Sequence, residues 1–123
     1  MIEEKRKRKR KRLYGRAKLW EISEDRLPDQ KDLWYSFTHD ISLNGIRIVT
    51  GKSVHPDTLM KVEFSLDGTE KTISIEGKVQ WVKTDEYKFN RMFQLGIKFS
   101  EPSPKASLKL LGYIYKKDLS RFN

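Results

Sequence analysis

Cysteine is missing altogether from the 123 residues, and histidine occurs only twice, at His39 and His55. The first absence excludes disulfides and thiolate metal ligands, and the second leaves too few imidazoles for a histidine-based metal site. No apolar run approaches the ~20 residues a membrane span requires, and the N-terminus lacks the apolar segment of a secretory signal, so a cytoplasmic location is expected. Also missing are a glycine-rich phosphate loop, a paired-carboxylate motif and a metal-ligand cluster, so no catalytic residue is assigned and the chain is expected not to be an enzyme. His39, Asp40 and Ser42 do not form a hydrolytic triad on this reading, because on a strand His39 points away from the other two. The length leaves room for one folded unit, and 37% hydrophobic with 35% charged residues suits a modest core beneath an ionic surface.

What the chain has in excess is positive charge, unevenly placed. Residues 5–12 alternate lysine and arginine, and with Glu3 and Glu4 the first twelve residues carry +6 of the total +9. This asymmetry predicts an anionic partner reached by the arm, with nucleic acid, a membrane surface or a phosphorylated small molecule as candidates.

From Arg16 onward period-two alternation predicts strands. A first strand is expected near residues 17–23. A second, near 33–40, is followed directly after Asn44-Gly45 by a third, near 46–50, and the two should form a hairpin-like pair. Residues 59–66 alternate Met60, Val62, Phe64 and Leu66 against polar positions, and Asp67-Gly68 supplies the turn of a second hairpin. Its return strand carries Ile73, Ile75, Val79 and Trp81 on one side and is long enough to need a bend, for which Gly77 is the natural place. A last strand carries Phe93, Leu95, Ile97 and Phe99. After Glu101 the period changes: Ser103 and Pro104 read as N-cap and first helical residue, and Leu108, Leu111, Tyr115 and Leu119 recur at helical spacing, with Lys116, Lys117 and Arg121 complementing the dipole. Six strands and one helix predict a small, mostly β, antiparallel barrel with a C-terminal helix. The expected division is a flexible basic arm over 1–11 and a barrel domain over 12–123.

Two spacings stand out: Arg12-x-x-x-Arg16 before the first strand, and Asp40-x-Ser42-x-x-Gly45 between the second and third, with 24 positions between Arg16 and Asp40. Together they resemble the signature of the PilZ family, bacterial receptors for the second messenger cyclic di-GMP. Tyr14 fits the aromatic inside the first motif, Val79-Gln80-Trp81 fits the hydrophobic-x-Trp strand, and Leu95-Gly96-Ile97-Lys98-Phe99 fits the Gly-hydrophobic-x-Phe strand before the last helix. Gly15 and Lys11 stand where many relatives have proline and arginine.

The resemblance implies a split-barrel nucleotide receptor, and the residue chemistry suits that ligand. Guanine offers an N7/O6 edge that accepts a bidentate arginine, the role expected for Arg12 or Arg16. Its N1 and N2 donors match the carboxylate of Asp40. Ser42 can bond a phosphate or a guanine group, Gly45 removes a side chain where backbone and ligand come close, and Asn44 tolerates a left-handed turn. Lys11 is expected to add a phosphate contact. Trp81 is either a stacking surface for a base or a rim tryptophan of the barrel. No cofactor is expected beyond cyclic di-GMP as ligand, and a separate protein effector is implied, with signalling by rearrangement of the arm. The alternative is nonspecific nucleic-acid or anionic-membrane binding through the arm.

Overall fold

Alternating apolar residues bury one face of each strand, and in the computed structural model, which describes residues 10–13, 15–22, 34–66, 72–87 and 90–115, those faces turn towards one interior. The long strands are β2 (Arg16–Glu21), β3 (Trp34–Ile41), β4 (Gly45–Thr50), β5 (Leu59–Ser65), β6 (Thr72–Tyr87) and β7 (Asn90–Phe99). Their order is β3-β2-β5-β6-β7-β4, every pair antiparallel, and β4 pairs back onto β3. The sheet therefore closes into a six-stranded barrel, as the alternation predicted. A short strand β1 (Lys11–Arg12) runs beside β3 on the edge that β2 occupies further along, with Arg12 opposite Asp40 and Lys11 opposite Ile41.

Inward positions follow the pleat. Met60, Val62 and Phe64 of β5, Ile46 and Ile48 of β4, and Leu95, Ile97 and Phe99 of β7 are buried against Ala17 and Leu19 of β2. Each large side chain of this kind stabilises the fold by roughly 1.5–3 kcal/mol through burial. Gly77 takes the inward slot between Ile75 and Val79 because a Cβ there would lie 2.6 Å from the Ile97 side chain.

Two irregularities interrupt the ladder. Gly77, the expected place for a bend, is where β6 passes from β5 to β7, pairing with Met60 on one side and Phe99 on the other; the register with β7 then shifts between Val79 and Trp81, leaving Gln80 as the extra residue of a bulge. A second shift, between Thr38 and Asp40, makes His39 the extra residue in β3. Strict alternation of side chains fails at both.

The helix α1 (Pro104–Ile114) begins as predicted, with the Ser103 hydroxyl accepting from the Ala106 N–H at 3.1 Å and proline in the first turn. Its buried stripe differs from the expected one. Ala106, Leu110 and Ile114 face the barrel at strict four-residue spacing and the helix meets β6, whereas Leu108 and Leu111 lie outward. The leucine periodicity misled because alanine, a weak hydrophobe, marks the core face. No helix among the described residues is long and apolar enough to cross a membrane. The turn at Asp67-Gly68, Tyr14, and Lys116, Lys117, Leu119 and Arg121 lie outside the described residues.

Candidate ligand-binding cleft

The turn joining β3 to β4 is built by Ser42. Its backbone N–H donates to the Gly45 carbonyl at 2.9 Å, and its hydroxyl oxygen accepts from the N–H groups of Asn44 and Gly45, each at 3.2 Å. A serine hydroxyl accepting from successive amides closes a tight turn, and an Arg10 Nη1–H also reaches the same oxygen, at 3.5 Å. The hydroxyl proton sits on the Gly45 carbonyl through a long 3.4 Å contact, so it can be turned to another acceptor at little cost. The Phe99 N–H donates to the Asn44 carbonyl at 2.7 Å and ties the turn to β7. Gly45 must lack a side chain, since a Cβ would stand 2.4 Å from the Ile97 carbonyl oxygen. The crowding comes from β7. Asn44, expected to suit a left-handed conformation, does not adopt one; the non-glycine residue with positive φ among those described is Asp57.

Asp40, 6% exposed, gathers cations around a buried carboxylate. Arg10 Nε donates to Oδ1 at 2.7 Å, Arg47 Nε donates to the same oxygen at 2.9 Å, and an Arg47 Nη2–H donates to Oδ2. His39 Nδ1 lies 3.0 Å from Oδ2 and donates to it, the tautomer an ionised carboxylate requires. This corrects the strand-based expectation that His39 points away: the bulge rotates it towards its neighbour. Burial alone would raise the Asp40 pKa, but the hydrogen bonds from Arg47, Arg10 and His39 outweigh it and lower the value to about 2. Asp40 is therefore a fixed anion at neutral pH. The same pairing raises the pKa of Arg47.

Beside this cluster lies a cleft of about 650 Å³. Gly45, Gly96 and Ile97 are among the residues that line it. Arg10, Arg47 and Lys98 supply cations, and Gln80 with Trp81 lines another side. Two consecutive strand residues normally face opposite sides of a sheet, and the bulge at Gln80 lets both reach the cleft. Trp81 covers Gly96, where a Cβ would fall 2.2 Å from the indole, and the Lys83 ammonium lies 5.5 Å from the ring centroid. No cluster of histidine, aspartate or glutamate that could hold a metal occurs among the described residues.

Of the residues singled out in the sequence, Ser42, Asn44, Gly45 and Trp81 line this cleft, Asp40 is held by two of its arginines, and Arg12 stands across from Asp40 on β1. Arg16 pairs with Phe37, is exposed and does not line the cleft. Lys11 reaches the other way, to the carbonyl of Tyr113 at 3.2 Å. Arg10 and Arg47 were not singled out. Arg47 was legible in principle: a hairpin pairing Ile41 with Ile46 sets Asp40 opposite residue 47, where a buried carboxylate needs a cation. Nothing in the alternating octet distinguished Arg10 from its neighbours.

The model of the PilZ domain matches residues 4–116. The chain belongs to the PilZ family. The match takes in the cleft-lining residues, β1 and the helix. No curated protein matches the sequence significantly. Among solved structures, the inhibitor of motility MotI/DgrA of Bacillus subtilis aligns with a TM-score of 0.67 at 17% identity, over 93% of this chain and 51% of that one. The PilZ domain of YcgR from Escherichia coli, with c-di-GMP, aligns with a TM-score of 0.62 at 12% identity over 93% of each chain. PlzA of Borreliella burgdorferi, in complex with c-di-GMP, aligns with a TM-score of 0.53 at 12% identity, over 91% of this chain and 48% of that one. The chain thus spans about half the length of two of these proteins and nearly all of the PilZ domain of the third. At these identities the likeness is one of fold, and it agrees with the closed barrel and terminal helix.

Proposed function

We propose that this PilZ domain is a non-enzymatic receptor for cyclic di-GMP. PilZ membership supports the reading, as do two neighbours solved with that nucleotide. The observation that carries it is the ionised, buried Asp40 set among guanidinium groups beside a cleft whose lining includes Gly45 and Gly96. An anion so placed, next to cations that exceed it in charge, suits a ligand with both donor edges and phosphates. A guanine presents N1–H and N2–H to the Asp40 carboxylate in place of Arg10, which makes one hydrogen bond to the carboxylate where Arg47 makes two. Arg10 and Arg12 then meet phosphate or the N7/O6 edge, Arg47 holds the carboxylate in position, and the Ser42 hydroxyl turns its proton to a phosphate oxygen. Arg16, three residues along β3 from Asp40 by its pairing with Phe37, serves the outer part of the ligand. Capture of the arm changes the surface offered to a separate effector protein in the cytoplasm, which makes binding the signal.

The test is a titration of the full chain with cyclic di-GMP, followed by calorimetry and by amide shifts of Arg16, Asp40, Ser42 and Gly45, alongside random-sequence duplex DNA and a chain lacking residues 1–9. Saturable shifts at those amides that survive the truncation support the receptor. Binding of DNA alone, lost with the arm and with added salt, refutes it in favour of nonspecific phosphate attraction.

A further inference from the structure

The segment that brings Arg10 and Arg12 to Asp40 touches the domain on two sides. One is β3, where Arg12 pairs opposite Asp40 and the Leu13 N–H donates to the His39 carbonyl at 3.2 Å. The other is the end of α1. The Lys11 ammonium donates to the Tyr113 carbonyl at 3.2 Å and lies 4.1 Å from the Tyr113 ring centroid, while the Tyr113 hydroxyl donates to the Arg12 carbonyl at 3.2 Å. Three contacts across about a hundred residues of sequence therefore converge on one tyrosine. In an extended chain adjacent side chains leave on opposite sides, so holding Lys11 on the helix directs Arg10 to the Asp40 side. Leu13, fully buried in the core, and the Thr38 hydroxyl, donating to the Leu13 carbonyl at 2.9 Å, anchor the end of the segment nearest the barrel, whereas Lys11 and Arg12 form only a two-residue strand, which the Tyr113 contacts hold from the helix side.

We propose that Tyr113, acting with Lys11, is a positioning residue for the nucleotide site: it pins the arm in the register that sets Arg10 and Arg12 at Asp40, and by the same contacts ligand capture tightens the end of α1. The proposal rests on the receptor reading for its ligand half. Its structural half, the pinning itself, does not. Binding free energies are reciprocal, so whatever the helix contributes to nucleotide affinity, the nucleotide returns as protection of the helix end.

The experiment compares wild type, Tyr113→Ala, Tyr113→Phe and Lys11→Arg by calorimetry with cyclic di-GMP and by amide hydrogen exchange with and without it. Tyr113→Ala removes ring and hydroxyl, and its affinity is expected to fall about five- to twentyfold, the combined size of one cation–π contact and one neutral hydrogen bond. Exchange at amides 11–13 speeds up in the ligand-free variant while that of β5 stays as in wild type. Tyr113→Phe, which keeps the ring, loses less, and Lys11→Arg, which keeps cation and donor, stays within about twofold of wild type. In wild type the nucleotide slows exchange over 110–115; in Tyr113→Ala it does not. Unchanged exchange at 11–13 in Tyr113→Ala overturns the pinning whatever the nucleotide does. Faster exchange with undiminished affinity overturns the positioning role. Failure of wild type itself to bind sinks the receptor reading and the positioning role with it, and the exchange of 11–13 still decides the pinning.

Discussion

Replacing Arg47 with methionine isolates what holds Asp40 in place. Methionine keeps much of the apolar stem and removes both guanidinium bonds to the carboxylate, leaving Arg10 and His39 as its partners. A hydrogen bond to a charged group is worth about 1.5–3 kcal/mol, and breaking a fully buried pair costs about 3–5 kcal/mol. The Arg47 side chain is 36% exposed, so water takes over part of its role, and two partners remain. The expected loss is therefore about 2 kcal/mol, or roughly 8 °C in Tm for a domain of this size. Urea unfolding with an unchanged slope is the assay, and the Asp40 carboxyl titration, followed by NMR, should move up from about 2. The paired change Asp40→Leu with Arg47→Met removes both charges, and most of the lost stability should return while nucleotide binding does not. A stability for Arg47→Met within about 0.3 kcal/mol of wild type, or a double variant weaker than the single one, would refute the picture of a buried anion needing this cation.

Because the folded pKa of Asp40 lies below its ordinary 3.8, this group contributes stability in full above pH 3.8, and the contribution fades as pH falls towards 2. Acid unfolding should accordingly lose its component in that window in Asp40→Asn, as read by circular dichroism. Gly45→Ala forces a Cβ to within 2.4 Å of the Ile97 carbonyl, and a loss of about 1–3 kcal/mol is expected in thermal unfolding, with β4–β7 amides exchanging faster. Arg16→Ala is expected to weaken cyclic di-GMP binding more than Lys7→Ala, since Arg16 is the first residue of β2 and its backbone is already ordered; equal losses by calorimetry would count against it.

The barrel was legible because strand burial on one face leaves a period of two in the sequence. Met60, Val62 and Phe64, or Leu95, Ile97 and Phe99, announce their own inward face. The helix face was not, because Ala106 carries little apolar signal and Leu108 and Leu111, which point outward, compete with Leu110 and Ile114 for the helical period. Within the site, Asp40, Ser42 and Gly45 were found by their spacing. Gln80 and His39 escaped because a bulge is a property of two strands pairing, invisible in either strand alone. Arg10 escaped for a different reason: in a run of alternating lysine and arginine, contact is chosen by where β1 pairs with β3, and composition is silent on register.

The ring shuts through its most local connection. β3 and β4, joined by the turn at 42–45, stand at opposite ends of the path through the other four strands, so the seam of the barrel is a tight hairpin. Closing so short a loop demands little chain entropy, and hairpins of this size form within microseconds. Asp40, Ser42, Gly45 and Arg47 all lie on that hairpin, so half of the cleft can assemble before the barrel exists. Gly96 and Lys98 on β7, and Arg10 on the arm, arrive from far along the chain and complete it last. Completion of the cleft then waits on β7 pairing with β4, and a nucleotide that bridges the hairpin to β7 would slow unfolding by holding those two strands together.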